Sequence, residues 1–598
     1  MEKEMLRSEV DNKFKWDLNK LVKQDEISKL EKEVEELLKE LLSFKGRIME
    51  SSESLYNFYQ IDEKLSRILD KLVVYSHMNC DVDTKDPNRQ SLKMKIDKLL
   101  ENISEKTSFI IPEMLKSDFR KVQEFIKEDD RLKEYEFSLT ELYRSKPHTL
   151  SEKEEEIITL ATNAMGTGDD VFYNIDNADI DLGEIKDENG NLVKLTNSNY
   201  NIFMNSKDRR VRIDAFNGMY HYFEGLKNTL AASLKGNIKE NFFNSKVRNF
   251  KNPLNQSLFY DNISEDVYNK LIEIVHKNLD SMYEYMDIKK KILGLDEMHM
   301  YDIYVDLVQT PSSEIPLEEG KKIIFEALKP MGANYIEDLK KAFDENWIDI
   351  YPNIGKKSGA YSWGCYDSYP YLLLNYNDTV DSVSTMAHEL GHSMHSYYSN
   401  KCQNYSNHNY PIFLAEIAST TNEILLNNYL YENAKTKDEK ILYLTELLEK
   451  IRTTIYRQTM FAEFEKIIHD KEESGVALTE EEFSNTYYNL NKLYYGDNVV
   501  SDDLIRYEWA RIPHFYSSFY VYKYATGLSC AIKIATDILN NKENALENYL
   551  EFLSSGGSDY PLNILKKTGI DITSGEAIDE ALKVFKEKVY ELKNLYNL

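Results

Sequence analysis

Glycine and proline are scarce along the whole chain, and this scarcity limits the possible folds more than any other feature. The 598 residues include 22 Gly and 12 Pro, roughly half the share expected from average usage of about 12%. Architectures made of strands and turns need both residues in quantity. From Ile27 to Leu41, apolar residues recur at alternating three- and four-residue steps, which indicates a helix with one buried face. We therefore predict a mostly α protein with small β elements near 170–200 and 350–377.

The two predicted β elements differ in their signals. Glu188-Asn189-Gly190-Asn191 lies between the alternating segments 179–182 and 192–195, a pattern typical of a hairpin. In the second region an apolar and aromatic run follows Pro370. Since proline at such a position is tolerated mainly at a sheet edge, we expect an edge strand there. Such a strand could add an extended peptide to the sheet, or it could be purely structural.

The charge of the chain excludes several classes of partner. Lys and Arg number 74 and Asp and Glu 102, so the formal net charge is −28, which opposes binding to nucleic acid or to a membrane surface. No window resembles a membrane span, and the charged start at 1–5 lacks the apolar stretch of a secretory signal. The four cysteines are widely separated and form no C-x-x-C pair, so no disulfide framework is indicated. We expect a soluble globular protein in the cytoplasm.

The chemistry is concentrated in one motif, His388-Glu389-Leu390-Gly391-His392, which follows a predicted helix start at 378–381. Residues four apart on a helix share one side, so His388 and His392 can bind one metal ion. Zn²⁺ takes neutral imidazole readily. The carboxylate of Glu389, one residue after a ligand, can reach water at the metal without binding the metal itself.

A hydrolytic zinc needs a third protein ligand and an open position. Glu416 is the candidate, because it lies 24 residues after His392 inside an otherwise apolar run, where an unpaired charge would be costly to bury. Glu423 lies seven residues further on and either orients an imidazole as a hydrogen-bond acceptor or is an ordinary exposed glutamate. His395 follows on the same helix and cannot easily wrap around the metal, so we expect it to pack or to support a ligand. Cys402 is not expected to be a ligand.

Several motifs resemble those of the oligoendopeptidase F family, which belongs to the thimet-oligopeptidase-like zinc metallopeptidases. The resemblance covers nearly the whole chain, and its most specific part pairs 388–396 with Phe413-Leu414-Ala415-Glu416-Ile417-Ala418-Ser419. The further matching segments are 15–18, 358–361, 370–375, 513–516 and 519–527.

The resemblance implies an elongated, multi-helical, two-lobed molecule with a deep central channel that admits short flexible peptides. Because the helical pattern resumes after Ser206, we place a boundary near 200. We therefore expect an N-terminal helical region at 1–110, an oligopeptidase-F-type N-terminal domain with the hairpin at 111–200, and a zinc metallopeptidase catalytic domain at 201–598. His388, His392 and Glu416 then bind one Zn²⁺ per chain. Glu389 is the catalytic base.

The resemblance also implies a histidine and tyrosines that stabilise the transition state. His514 matches directly. Among the tyrosines we favour Tyr520 and Tyr524, four apart on one helical side, with Tyr522 in reserve.

The predicted function is zinc-dependent hydrolysis of internal peptide bonds in short unstructured oligopeptides, with Glu389 assisting water at the zinc. One alternative is a zinc carboxypeptidase of related fold, in which Arg511 near His514 could hold a terminal carboxylate. Another is a non-catalytic helical scaffold that binds peptides around a structural metal. Closed structural sites usually use four Cys and His ligands, which this sequence does not offer. The sequence leaves monomer and homodimer open.

Overall fold

Helices make up nearly all regular structure in this protein, as predicted. The structure is a computed structural model that describes residues 5–308 and 314–598. Residues 1–4 of the charged start, used above to predict location, lie outside the described residues. Among those described, no helix combines the length and the apolar composition that a membrane crossing requires.

The first part of the chain contains ten α-helices and two short strands among the described residues. They are α1 (Ile27–Leu42), α2 (Ser52–Asp81), α3 (Pro87–Thr107), α4 (Ile110–Leu115), α5 (Phe119–Glu128), α6 (Glu136–Arg144), α7 (Glu152–Met165), α8 (Thr167–Asn177), β1 (Glu184–Lys186), β2 (Leu192–Lys194), α9 (Asn197–Met204) and α10 (Arg209–Val247).

The middle part holds the remaining short strands but one. Its elements are α11 (Pro253–Phe259), α12 (Glu265–Lys277), α13 (Leu279–Ile292), β3 (Met298–His299), α14 (Leu317–Ala327), α15 (Ala333–Asp344), β4 (Ile348–Asp349), β5 (Tyr361–Trp363), β6 (Tyr371–Leu373), α16 (Val380–Cys402) and α17 (Ile412–Glu432).

The last part is again helical. Its elements are α18 (Lys437–Ile451), α19 (Arg457–Glu473), α20 (Glu480–Tyr495), β7 (Val499–Val500), α21 (Tyr522–Leu539), α22 (Ala545–Leu553), α23 (Pro561–Lys566) and α24 (Glu576–Tyr596).

The described residues divide into two compact units. The first contains 5–149, 314–429 and 534–569, and the second contains 150–308, 430–533 and 570–598. In the first unit, the apolar faces of α1 to α6 form one core together with Tyr371 and Leu373 of β6. β6, a strand near the candidate motif, is therefore anchored in the N-terminal helical core.

The predicted hairpin is present but begins later than the alternating residues suggest. β1 and β2 pair antiparallel with Ile185 opposite Val193, and the turn between them contains Asn189 and Gly190, whose φ is +83°. The backbone N–H of Gly190 donates to the carbonyl of Asp187, which closes the turn.

The expectation of an edge strand after Pro370 is wrong. The three-stranded sheet has the order β4-β6-β5, so β6 lies in the centre and β5 lies at an edge. Pro370 precedes the first paired residue, Tyr371, which lies opposite Trp363. Because the ring stands outside the ladder, its missing N–H removes no hydrogen bond from the sheet.

The predicted start of the motif helix is confirmed. Thr379 has extended backbone geometry, and its hydroxyl accepts a hydrogen bond from the N–H of Ser382, which is the usual N-cap arrangement. The helix then continues to Cys402. The serine hydroxyls of Ser362 and Ser393 lie 2.8 Å apart and so join β5 to this helix.

Candidate metal centre

Two neighbouring helices, α16 and α17, bring His388, His392 and Glu416 together. The two imidazole Nε2 atoms lie 3.1 Å apart. Oε2 of Glu416 lies 3.6 Å from Nε2 of His388 and 3.7 Å from Nε2 of His392. Three ligand atoms about 2.1 Å from a tetrahedral Zn²⁺ lie about 3.4 Å from one another. The three side chains therefore fit a single ion of this size.

Each of these side chains is oriented by a further contact. Nδ1 of His388 lies 2.5 Å from Oε1 of Glu423, so with the proton on Nδ1 the lone pair of Nε2 is directed at the other two ligands. The ring of His392 hydrogen-bonds the backbone of Ala415, and the hydroxyl of Ser419 donates to Oε2 of Glu416 at 3.2 Å. Glu423 therefore lies beside the imidazole of His388, the position that the first of its two predicted roles requires.

Burial and neighbouring charges shift the pKa values of His388, His392 and Glu389. Burial alone would lower the pKa of His388, but its hydrogen bond to Glu423 and the nearby carboxylates raise it above the ordinary value. Burial, followed by the charge of His388, lowers the pKa of His392 to about 4. Burial raises the pKa of Glu389 to about 6, and only 8% of this residue is exposed. A carboxylate with that pKa suits a general base near neutral pH.

The distance between the two helices depends on a glycine that our sequence reasoning did not single out. A Cβ atom at Gly391 would lie 2.5 Å from Cα of Ser419 and 2.8 Å from the carbonyl oxygen of Ala418. The amide of Asn422 also donates to the carbonyl of Ala387 at 3.1 Å. The sequence signal that could have identified this contact was a glycine, Gly391, inside a predicted helix, together with a run of small residues in α17.

A cavity of about 480 Å³ adjoins His388 and Glu389. Cavities of this size accommodate small ligands and side chains. The wall contains three carboxylates and no Lys or Arg among the residues that line it. The lining residues are Gly359, Ala360, Leu374, Asn375, Tyr376, Asn377, Asp381, Ser382, Ser384, Thr385, His388, Glu389 and Glu423.

The predicted C-terminal residues form a cluster of their own in the second unit. His514 lies in a short 3₁₀ helix, Pro513–Tyr516, with Nε2 3.5 Å from the hydroxyl of Tyr524. The rings of Tyr520 and Tyr524 meet edge to face with centroids 5.3 Å apart. Burial, followed by the charge of Arg457, lowers the pKa of His514.

The expectation that Tyr520 and Tyr524 share one helical side is wrong, because α21 begins at Tyr522 and Tyr520 precedes it. Tyr522 is fully buried, with its ring 5.3 Å from that of Tyr268. Tyr520 and Tyr524 are both partly exposed. This difference favours Tyr520 and Tyr524 over Tyr522, and their role stays a prediction.

Two other residues weighed in the sequence have partners of their own. His395 is fully buried, and its ring stacks on Tyr410 with centroids 3.6 Å apart. Burial, followed by the charge of His392, lowers the pKa of His395 to about 3. Arg511 lies 3.6 Å from Glu508, with its guanidinium 5.4 Å from the ring centroid of Tyr200. It is thus already engaged, which weakens its candidacy as an anchor for a terminal carboxylate.

Comparison with known proteins gives consistent matches over most of the chain. Residues 202–584 match peptidase family M3, and residues 113–181 match the family described as oligopeptidase F. Oligopeptidase PepF of Bacillus subtilis is 40% identical over 590 residues, which are 98% of this chain and 88% of the relative. Among solved structures, a protein from Chlamydophila abortus has a TM-score of 0.93 at 37% identity, covering 99% of this chain and 100% of its own. Oligoendopeptidase-F from Enterococcus faecium has a TM-score of 0.73 at 34% identity, covering 96% and 99%.

Proposed function

Because the chain belongs to peptidase family M3 and its oligoendopeptidase F group, it is a metalloendopeptidase of oligopeptides, and we propose that its metal is Zn²⁺. The observation that carries this proposal is the triangle of ligand atoms from His388, His392 and Glu416, with sides of 3.1, 3.6 and 3.7 Å. Two imidazoles and one carboxylate form a typical catalytic zinc donor set, which leaves a position for water or substrate.

The proposed reaction is peptide hydrolysis with Glu389 as the general base. When bound, Zn²⁺ lowers the pKa of water to about 7 and polarises the scissile carbonyl. Glu389 accepts a proton from the attacking water and later donates it to the leaving amine. Burial of this carboxyl supports the role, since its pKa of about 6 leaves it mostly ionised, yet easily protonated, at neutral pH.

We assign substrate binding to the cavity beside the metal-binding residues and to β5. This strand lies at an edge of its sheet, and Gly359 and Ala360 just before it line the cavity. An extended peptide can pair with such an edge through main-chain hydrogen bonds. The proposed donors to the developing oxyanion are His514, Tyr520 and Tyr524, and loss of one such donor typically lowers kcat by about 10²–10³.

Two variants test the assignment of the metal and the base. Glu389→Gln should keep zinc and lose turnover, because the amide cannot accept the proton of the attacking water. His388→Ala should lose both. Zinc content and hydrolysis are measured on the same samples, with chelation and zinc addition as a further control. Retained metal together with retained activity in either variant would refute the assignment.

The carboxypeptidase alternative is tested with an internally quenched peptide blocked at both ends. An endopeptidase cleaves it, whereas an enzyme that requires a free terminal carboxylate does not. Mass spectrometry of the products then locates the cleaved bond. Hydrolysis that stops with chelator and returns with zinc also excludes the non-catalytic scaffold.

Three expectations from the sequence remain proposals. They are the division at residues 110 and 200 into an N-terminal helical region, an oligopeptidase-F-type domain and a catalytic domain, the cytoplasmic location, and the absence of nucleic-acid and membrane partners.

A further inference from the structure

The segment that joins the His514 helix to α21 contains an unusual backbone turn. Phe519 has a φ of +61°, in the left-handed region that bulky residues rarely adopt. The residue is almost fully buried, with 1% exposed. Such a conformation persists only where the surroundings hold it in place.

One side chain from α19 holds this turn directly. Oε1 of Glu465 accepts a hydrogen bond from the backbone N–H of Phe519 at 2.9 Å. Glu465 is fully buried, and its Oε2 has no hydrogen-bond partner among the described residues. Among the described residues, the carboxyl group of Glu465 thus hydrogen-bonds a single backbone donor.

The next turn of α19 holds the side chain of the same residue. The ring of His469 lies 4.5 Å from that of Phe519, and Nδ1 of His469 lies 2.8 Å from the carbonyl oxygen of Glu465. Residues four apart on a helix share one side. Glu465 and His469 therefore restrain both the backbone and the ring of Phe519.

This turn determines how the proposed transition-state residues meet. His514 lies before the turn and Tyr524 after it, and Nε2 of His514 lies 3.5 Å from the hydroxyl of Tyr524. This contact links the two ends of the segment. Tyr520 follows Phe519 directly. The residues before the turn have separate anchors, since Asn241 donates to the hydroxyl of Ser518 at 2.7 Å. Glu465 is, among the described residues, the polar side chain that hydrogen-bonds the backbone N–H of Phe519.

We propose that Glu465 is a positioning residue, which fixes the left-handed turn at Phe519 and thereby places His514, Tyr520 and Tyr524 for catalysis without touching substrate. The inference rests on the proposed roles of those three residues. Burial raises the pKa of Glu465 to about 8, so the carboxyl group is mostly protonated at pH 7. Glutamine is therefore its closest replacement in shape and charge.

The test compares Glu465→Gln with Glu465→Met at pH 7, using kcat, KM, zinc content and thermal unfolding. Methionine fills a similar volume but cannot accept the N–H of Phe519, so we expect kcat to fall by about 10²-fold, the effect of a misplacement of about 1 Å. KM and zinc content should not change. Glutamine keeps the acceptor and should restore most of the lost kcat.

Two further variants keep the inference testable. If Glu465→Met does not fold, Glu465→Asp replaces it, because aspartate keeps the carboxyl group but is one methylene too short to reach the turn. Tyr456→Phe is the control, since it removes the hydrogen bond of a buried tyrosine in the same unit, to the carbonyl of Asn278 at 3.0 Å. We expect Tyr456→Phe to keep the kcat of the wild type.

Combining the Glu465 variants with His514→Ala distinguishes a wrong role for Glu465 from a wrong role for His514. If Glu465 acts through His514 and the two tyrosines, adding Glu465→Met, or Glu465→Asp in its place, to His514→Ala should lower kcat by a smaller factor than the same change does in the wild type. If His514→Ala alone keeps full kcat, the proposed role of His514 is wrong and the inference falls with it. If His514→Ala loses activity while the folded, zinc-loaded Met or Asp variant keeps the wild-type kcat, only the inference about Glu465 is wrong.

Discussion

Replacing Gly391 with alanine should weaken metal binding although neither residue can bind a metal. The new Cβ atom would lie 2.5 Å from Cα of Ser419 and 2.9 Å from its backbone nitrogen. Both contacts are with backbone, so no side-chain rotation relieves them. α17 must instead move away from α16.

The size of this movement follows from the contact distance. An ordinary carbon–carbon contact needs about 3.5 Å, so Ser419 must retreat by about 1 Å. Glu416 lies one turn earlier on the same helix and moves with it. Ligand distances in metal sites are held to about 0.2 Å, so the triangle formed with His388 and His392 is broken. We expect zinc affinity to fall by about 10- to 100-fold, as when a supporting residue is lost, and stability to fall by about 1–3 kcal/mol from overpacking.

The assay is a zinc titration against a competing chelator, with kcat expressed per bound zinc. Gly225→Ala is the matched control, because a Cβ atom at Gly225 in α10 has nothing within 4 Å. There alanine should stabilise the helix by about 0.5–1 kcal/mol and leave zinc affinity unchanged. Unchanged zinc affinity in folded Gly391→Ala would refute the reasoning.

Three more predictions follow from the same region. Glu423→Gln removes the charged acceptor of His388, so zinc affinity should fall by about tenfold in the same titration, and an unchanged value would contradict its supporting role. The pKa of His395 is about 3 in the fold and about 6.5 when unfolded, so the unfolded state binds the extra proton. The contribution of His395 to stability should therefore fall by about 1.4 kcal/mol per pH unit between pH 6.5 and about 3, and His395→Phe should reduce the total slope by that amount in urea unfolding of chelator-treated protein. The cavity wall holds carboxylates and no Lys or Arg among its lining residues, so peptides with Lys beside the cleaved bond should have a higher kcat/KM than those with Glu. Asp381→Asn should narrow that ratio, and an unchanged ratio would contradict the idea.

The parts of the site that depend on local geometry could be predicted from the sequence. The spacing of His388 and His392 and the cap at Thr379 are properties of one helix, because side chains four apart face one way in any α-helix. The distant Glu416 was singled out because burying its charge in an apolar run would be costly, but this premise is wrong, because 45% of its side chain is exposed. In the structure the candidate ligand atoms of His388, His392 and Glu416 lie within 3.7 Å of one another.

The parts that depend on the arrangement of neighbouring elements could not be predicted. Proline before a strand suggested an edge, yet β6 is central, because the rule applies only where the missing N–H would have faced a partner strand. Tyr520 and Tyr524 fit a helical spacing, but α21 begins between them. The left-handed turn at Phe519 ends that pattern, and no local propensity favours such a turn at phenylalanine.

The distance between α16 and α17 is the most consequential of these non-local features. Glycines also occur inside α10, where a Cβ atom at Gly225 or Gly236 would have nothing within 4 Å, whereas a Cβ atom at Gly391 would lie 2.5 Å from the backbone of Ser419. A sequence shows the same residue type in all three positions and cannot tell which one lies at a helix crossing. The proposed third ligand, Glu416, comes from the opposite helix, so its distance to the two imidazoles is fixed by that crossing. We therefore expect Gly391, a residue with no chemistry of its own, to determine whether the three candidate ligands can share one ion.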